Sequence, residues 1–378
     1  MNWRLVLWCG SGAAALFAIG FAGWILSLPV APPPAAAAPI AREEAQATLA
    51  ALKPPKRKRP LIAIVAINEQ SETTDYLMPY GILRRAGVAD VVTLATQPGP
   101  VTLFPVLKVE PDATTAAFDA EHPDGADYVI VPAMSRDDDP AVLQWIRGQA
   151  AKGAIIIGVC AGAKVVAATN LLDGKSATTH WYYLKEMRKK HPAIGYVRDR
   201  RIVVDRGVAT TTGISASMPM SLTLIEAIAG RDKAEAVGRD IGLEHWDARH
   251  RSDAFTFTRP FALTAIQNAL AFWQREQFGI ALRPDIDEVS LALVADAWSR
   301  TYRSKALTFA ATAGALQTRH GIRLLPDQVA ANWPADRTLP AIGDRPAQAL
   351  DEALRGIEAR YGGRTADFVA MQLEYPRP

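Results

Sequence analysis

The chain has 378 residues, 49% of them hydrophobic and 21% charged, enough for one large domain or two ordinary ones with an apolar appendage. A formal net charge of +3 is too small to imply a nucleic-acid partner, and no basic recognition helix or zinc-finger spacing is present. There are two cysteines, and Cys9 lies in an apolar N-terminal run, so no structural disulfide with Cys160 is expected.

From Leu5 to Leu28 the chain runs 24 residues without a charge, long enough to cross a ~30 Å hydrocarbon core as a helix. Signal-peptide cores usually span about 7–15 residues. Residues 1–30 therefore read as an uncleaved single-pass anchor, with a signal segment cut near Ala35 to Ala38 as the alternative. Residues 31–60 read as a solvated Pro/Ala/basic linker. Its cluster Lys53, Lys56, Arg57, Lys58 and Arg59 starts 25 residues past Leu28. That is beyond the ~15–20 residues over which positive charge holds a flank inside, so a soluble part outside the cytoplasm is expected.

Beyond Pro60 buried strands alternate with helices: strands at 61–67, 91–95 and 128–132, and helices at about 74–86 and 140–152. After them come strands at 201–205 and 208–213 and a helix at about 216–229. This alternation predicts a doubly wound α/β sheet with its site at the carboxyl ends of the strands. At one such end stands Ile155-Ile-Ile-Gly-Val-Cys160-Ala-Gly-Ala, followed by a helix-forming run. A strand that turns sharply into a helix lifts the turn residue above the sheet, toward unpaired helix N–H groups. Cys160 is therefore expected to be a nucleophile with a lowered pKa. A small buried cysteine filling a strand end is the plainer alternative. His180, in Thr178-Thr-His-Trp181, reads either as a pocket residue able to carry a proton or as a core histidine ending a strand.

Gly158-Val-Cys-Ala-Gly-Ala, Leu171-Leu-Asp-Gly-Lys-Ser-Ala-Thr-Thr-His-Trp181 and Thr212-Gly-Ile-Ser-Ala216 resemble the ThiJ/PfpI superfamily over about residues 61–250. Within it they look closest to isocyanide hydratase and to the amidase-like ligand domains of AraC-type regulators. The resemblance implies a flavodoxin-like sheet, an elbow cysteine at Cys160, and an acid after the first strand that hydrogen-bonds to it. Counted back from Pro79 that acid falls on Asp75, with Glu72 as the nearby substitute. A protonated Asp75 is expected, because two negative charges at contact repel. The family commonly dimerises, so self-association is expected too.

Three departures bear on activity. The family's strand-end Pro-Gly-Gly is here Pro132-Ala133-Met134, and the hydroxyl residue that follows the cysteine in isocyanide hydratase is Ala161. The histidine that follows it in peptidase-like members is absent. The oxyanion donors expected are the N–H groups of Ala161 and of Ala133 or Met134.

Residues 285–378 read as a shortened second copy of the 61–284 domain. Thr93-Leu-Ala, Gly99 and Pro111-Asp112 recur 215 residues later as Thr308-Phe-Ala, Gly314 and Pro326-Asp327. Ile225-Glu-Ala and Gly230 recur 132 residues later as Ile357-Glu-Ala and Gly362. The change of offset removes a stretch corresponding to about 126–208, which holds Cys160 and His180. Leu291, Leu293, Val294 and Trp298 are expected to pack against the first domain.

Glu244, His245 and His250 read as surface or interface residues, and Arg136-Asp-Asp-Asp139 as a solvated loop capping the next helix. No metal or cofactor is called for. Two function classes remain open. One is a cysteine-dependent hydratase, deglycase or hydrolase acting on a small electrophile. The other is a non-catalytic ligand-binding or redox-sensing module.

Overall fold

The computed structural model describes residues 16, 18–30 and 36–377. Residues 5–15 and 17 of the expected anchor lie outside them, while residues 18–27 are helical. Among the described residues no helix is long and apolar enough to cross a membrane.

The stretch expected to be a solvated linker is held to the domain from residue 42 onward. Helix α1 (Arg42–Ala51) ends at Leu52, which is fully buried and whose carbonyl accepts from the Tyr128 hydroxyl. Asp127 explains why Arg57 turns inward while Lys53, Lys56, Lys58 and Arg59 stay exposed. Its carboxylate is buried, and a buried charge needs partners. The Arg57 guanidinium (2.7 Å) and the N–H groups of Arg57 and Leu61 supply them.

Strand β1 (Leu61–Ala66) is buried along its whole length, as a central parallel strand covered on both faces must be. A short β2 (Glu69–Glu72) leads into α2 (Thr73–Ala86). Glu72 caps that helix by accepting from the Asp75 N–H, and Gly87 closes it at a φ of 65°. Strand β3 (Asp90–Ala95), the hairpin β4 (Val101–Phe104) and β5 (Lys108–Glu110), and β6 (Ala113–Thr114) follow. Then come β7 (Tyr128–Val131), α3 (Pro140–Ala151), β8 (Ile155–Gly158) and α4 (Gly162–Ala168). Beyond the elbow lie α5 (Trp181–Lys190), β9 (Ile202–Asp205), β10 (Val208–Thr211), α6 (Ser217–Ala229) and α7 (Arg231–Ile241). The main sheet has the order β9-β10-β8-β7-β1-β3-β6, parallel except for β9. The predicted elements agree with this to within a residue or two at each end.

The C-terminal part starts before residue 285. After α8 (Arg259–Leu270), strand β11 (Glu276–Ala281) pairs in parallel with β12 (Ser304–Ala310), and α9 (Glu288–Ser299) connects them. Strands β13 (Leu316–Gln317), β14 (Arg323–Leu325) and β15 (Gln328–Val329) follow, then helices α10 (Pro346–Tyr361) and α11 (Gly363–Gln372). Leu291, Leu293 and Trp298 are buried in the same core as Leu77, Leu83 and Met220. As anticipated, Asp139 caps α3 by accepting from Ala141 and Val142. His250 departs from expectation. It is buried, stacked on Phe255, with Nε2 2.9 Å from Glu374.

Candidate active site

Cys160 sits at the turn between β8 and α4 with a φ of 56°, a left-handed conformation that costs a non-glycine residue roughly 1–2 kcal/mol. Strain of this kind persists only where the surroundings hold it, and here they do. The Cys160 N–H donates to Thr211 Oγ1 (3.0 Å), and the Cys160 carbonyl accepts from Thr179 Oγ1 (3.2 Å). The two flanking glycines are needed for close approach. A Cβ on Gly162 would stand 2.0 Å from the Val131 carbonyl oxygen, and one on Gly158 2.9 Å from Ala163 Cα.

Asp75, in the first turn of α2, is completely buried. Its Oδ2 accepts from the Ala133 N–H (3.1 Å), while Oδ1 has no hydrogen-bond partner. Burial, and then the neighbouring Glu72 carboxylate, push its pKa well above the usual carboxylate value and favour its protonated form. Cys160 runs against expectation. Burial raises its pKa well above the usual thiol value, and Asp75, Glu72 and Glu374 add to the rise. The Ala161 N–H, hydrogen-bonded to the thiol, pulls the other way and loses. One short helix terminus does not outweigh desolvation, and burial favours the uncharged form of both the thiol and the acid.

Two other expected roles change. The Ala133 N–H is spent on Asp75, while the Ala161 N–H faces the sulfur; Met134 lies opposite Ser71 in a bridge closed by the Glu72 and Ser135 N–H groups. His180 lies beside the elbow, but Nε2 is 2.9 Å from the Gln372 carbonyl and Nδ1 accepts from Tyr182 N–H. With both nitrogens engaged and burial lowering its pKa, it is a neutral cap on α5 rather than a proton carrier.

Several neighbours escape sequence reasoning. Glu72 does not act as a substitute acid: Oε2 is taken by Asp75 N–H and Thr74, and Oε1 by Arg300 Nη2 (2.7 Å). Arg300 is held on its other side by Asp296 (2.7 Å), whose pKa burial raises to about 8. Glu374 plugs the site from the C-terminal end, accepting from Gly213 N–H (2.6 Å). Tyr183 stands near enough for the thiol to raise its pKa further, though burial is the larger cause. A cavity of about 780 Å³ opens beyond Thr179, with Trp181, Tyr182, Phe255 and Phe257 among its walls and Arg188 and Lys189 at its rim. Cys160 does not line it.

This geometry can be set beside known proteins. Isonitrile hydratase of Pseudomonas putida is 31% identical over 173 residues, 44% of this chain and 72% of that protein. The chain belongs to the DJ-1/PfpI family. The DJ-1/PfpI profile matches residues 62–227, from β1 into α6. The Parkinson disease protein 7 homolog of Danio rerio is 27% identical over 182 residues, covering 46% of this chain and 93% of that one. The HTH-type transcriptional regulator GbdR of Pseudomonas aeruginosa is 30% identical over 134 residues, 35% of each chain. The DJ-1/PfpI match ends before the whole C-terminal part.

Proposed function

We propose that the chain is a cysteine-dependent enzyme that adds water to a small electrophile, with an isonitrile-like carbon as the first substrate class to try. The observation that carries this reading is the strained elbow Cys160 together with a buried Asp75 that has one unpartnered oxygen and a raised pKa. A neutral thiol and a neutral acid together suit a substrate whose carbon must gain both sulfur and a proton. Sγ bonds to the carbon while Asp75 delivers its proton there and takes the thiol proton in exchange. Water then adds across the C–N double bond, its hydroxyl to the carbon and its proton to the nitrogen. The C–S bond breaks as that hydroxyl becomes the carbonyl, and the hydroxyl proton passes to the sulfur. One water is consumed and a formamide is released. The Ala161 N–H steadies the sulfur during attack.

Cys160→Ser is expected to abolish formamide release from a simple isonitrile, measured by mass spectrometry. Turnover that survives this change would sink the reading. A ligand-binding or sensing role is the alternative, favoured by the aromatic-walled cavity beyond Thr179 and by the similarity to regulators. A wild-type protein without turnover, whose cavity binds ligand with Cys160 replaced by Ser, would decide for it.

We propose also that the unit rests against a membrane surface. Three features support this placement. Residues Leu5–Leu28 carry no charge, and the Arg259 guanidinium holds the carbonyls of Ile25 and Leu26 at the start of α8. Leu263, Leu270, Phe272 and Trp273 are exposed along α8 and just past it, Trp273 at 70%. Leu263→Glu with Trp273→Glu is expected to lower co-flotation of the full chain with anionic vesicles several-fold; unchanged flotation would remove the ridge from the argument.

A further inference from the structure

We infer that the C-terminal part, from Glu276 to Leu373, is a shortened copy of the first unit docked as its built-in partner, and that it delivers Arg300 to the cysteine site. The correspondence goes well beyond similar residues. At one offset of 215 residues the hydrogen bonds themselves recur. Asp112 Oδ2 accepts from the N–H and Oγ1 of Thr93, both at 2.8 Å, and Asp327 Oδ2 accepts from the same groups of Thr308 at 2.8 and 2.9 Å. The parallel pairs Leu94–Ala113 and Ala95–Thr114 recur as Phe309–Gln328 and Ala310–Val329. The antiparallel pairs Val101–Val109 and Thr102–Lys108 recur as Leu316–Leu324 and Gln317–Arg323. Glu72 caps α2 through Asp75 N–H, and Asp287 caps α9 through Ser290 N–H. After the missing stretch, α6 and α7, joined at Gly230, are matched by α10 and α11, joined at Gly362. These two glycines have φ values of 88° and 86°.

The two copies meet as related halves do across a two-fold axis. Strand β5 lies antiparallel to β14 with Val109 opposite its own counterpart Leu324. The flanking pairs Lys108–Leu325 and Glu110–Arg323 are each the counterpart of the other, as a two-fold axis through the central pair requires. Arg300, the C-cap of α9, reaches across to Glu72, the N-cap of α2; Arg85 of α2 reaches across to Asp287, the N-cap of α9. These are the same ion pair made twice.

Only one of the two has chemistry beside it. The copy has Ser290 where the first unit has Asp75, and nothing corresponding to the elbow. The halves have also diverged at the crossing. The counterpart of Gly81 is Asp296, which clamps Arg300, whereas Arg85 takes Asp240 (2.6 Å) as its second partner. A Cβ on Gly81 would meet Glu288 Oε1 at 2.5 Å, so the first unit keeps a glycine where the copy's helix presses in. Arg300 is a positioning residue: it fixes the Glu72 carboxylate that in turn holds the N–H of Asp75. The titratable groups around this cluster are Glu72 and Asp75 from α2, Asp296 from α9, Cys160 from the elbow, His180 and Tyr183 from α5, and Glu374 from the C-terminal end.

Two measurements test the inference. Val109→Cys with Leu324→Cys, in a chain whose Cys9 and Cys160 are Ser, places two thiols across an antiparallel pair at a Cα separation of about 4.5–5.5 Å, within disulfide reach. Oxidation is expected to give one chain lighter by two hydrogens. A covalent dimer, or no bond at all, would overturn the built-in partner. In the otherwise native chain, the pH profile of iodoacetamide labelling at Cys160 is compared for Arg300→Gln and Arg85→Gln. Arg300→Gln is expected to move the labelling midpoint up by about one pH unit, a tenfold slower reaction at fixed pH. Arg300→Lys should restore most of it, and Arg85→Gln should leave it in place. Equal shifts for both arginines, or none for Arg300, would overturn the assignment of Arg300. If Cys160 resists labelling in every variant, the nucleophile reading and the assigned role of Arg300 both fail. The disulfide result still decides the docking.

Discussion

Gly162→Ala is expected to destabilise the protein by about 3 kcal/mol or more, although it adds a single methyl group. The new Cβ would meet the Val131 carbonyl oxygen at 2.0 Å and the Pro132 carbonyl at 2.9 Å. Both are backbone, so no side chain can swing away. The Val131 carbonyl accepts from the Val159 N–H (3.0 Å), so relieving the clash pulls β7 from β8 at the elbow itself. Gly148→Ala is the control. That glycine is exposed within α3 with nothing near its Cβ, and the change should stabilise by about 1 kcal/mol. Urea midpoints at an unchanged slope measure both. A Gly162→Ala protein within 1 kcal/mol of the parent would mean that the elbow is looser than this contact implies.

The elbow was legible in the sequence because it is local. A buried strand, two glycines around one residue and a helix within nine positions leave few other conformations. Asp75 follows from the resemblance, which implies an acid four residues before Pro79. The direction of the thiol shift was not legible. The helix terminus that favours a thiolate is written next to Cys160, whereas the burial and the carboxylates that oppose it arrive from Glu72 and Glu374. The anchoring of the 31–60 linker was hidden in the same way, because the partner of Arg57 is Asp127, 70 residues on. The signal for Arg300 is spread over the whole chain. The offset that links Thr93 to Thr308 also links Arg85 to Arg300 and Glu72 to Asp287.

Asp75→Asn is expected to reverse the pH dependence that this one carboxyl imposes on folding. Asp75 has its pKa raised in the native state, chiefly by burial and then by Glu72. In the unfolded chain it ionises near the ordinary value of about 3.9. Between those two values the native state holds one more proton than the unfolded state. Its contribution is therefore fully present below the unfolded pKa and is lost as pH rises toward the native one, at up to about 1.4 kcal/mol per pH unit. Asparagine keeps an oxygen for the Ala133 N–H and cannot ionise, so the variant should gain on the parent as pH rises from 5 to 8. It should also lose turnover, since it has no proton to exchange with the Cys160 thiol. Stability and activity would then move in opposite directions from a change of one atom group, as expected where a buried acid is kept for chemistry and not for folding. Denaturant melts of both proteins at pH 5, 6.5 and 8 measure the gap. A gap that stays flat or closes would show that Asp75 is ionised in the native protein. The proton exchange assigned to it would then have to come from another group.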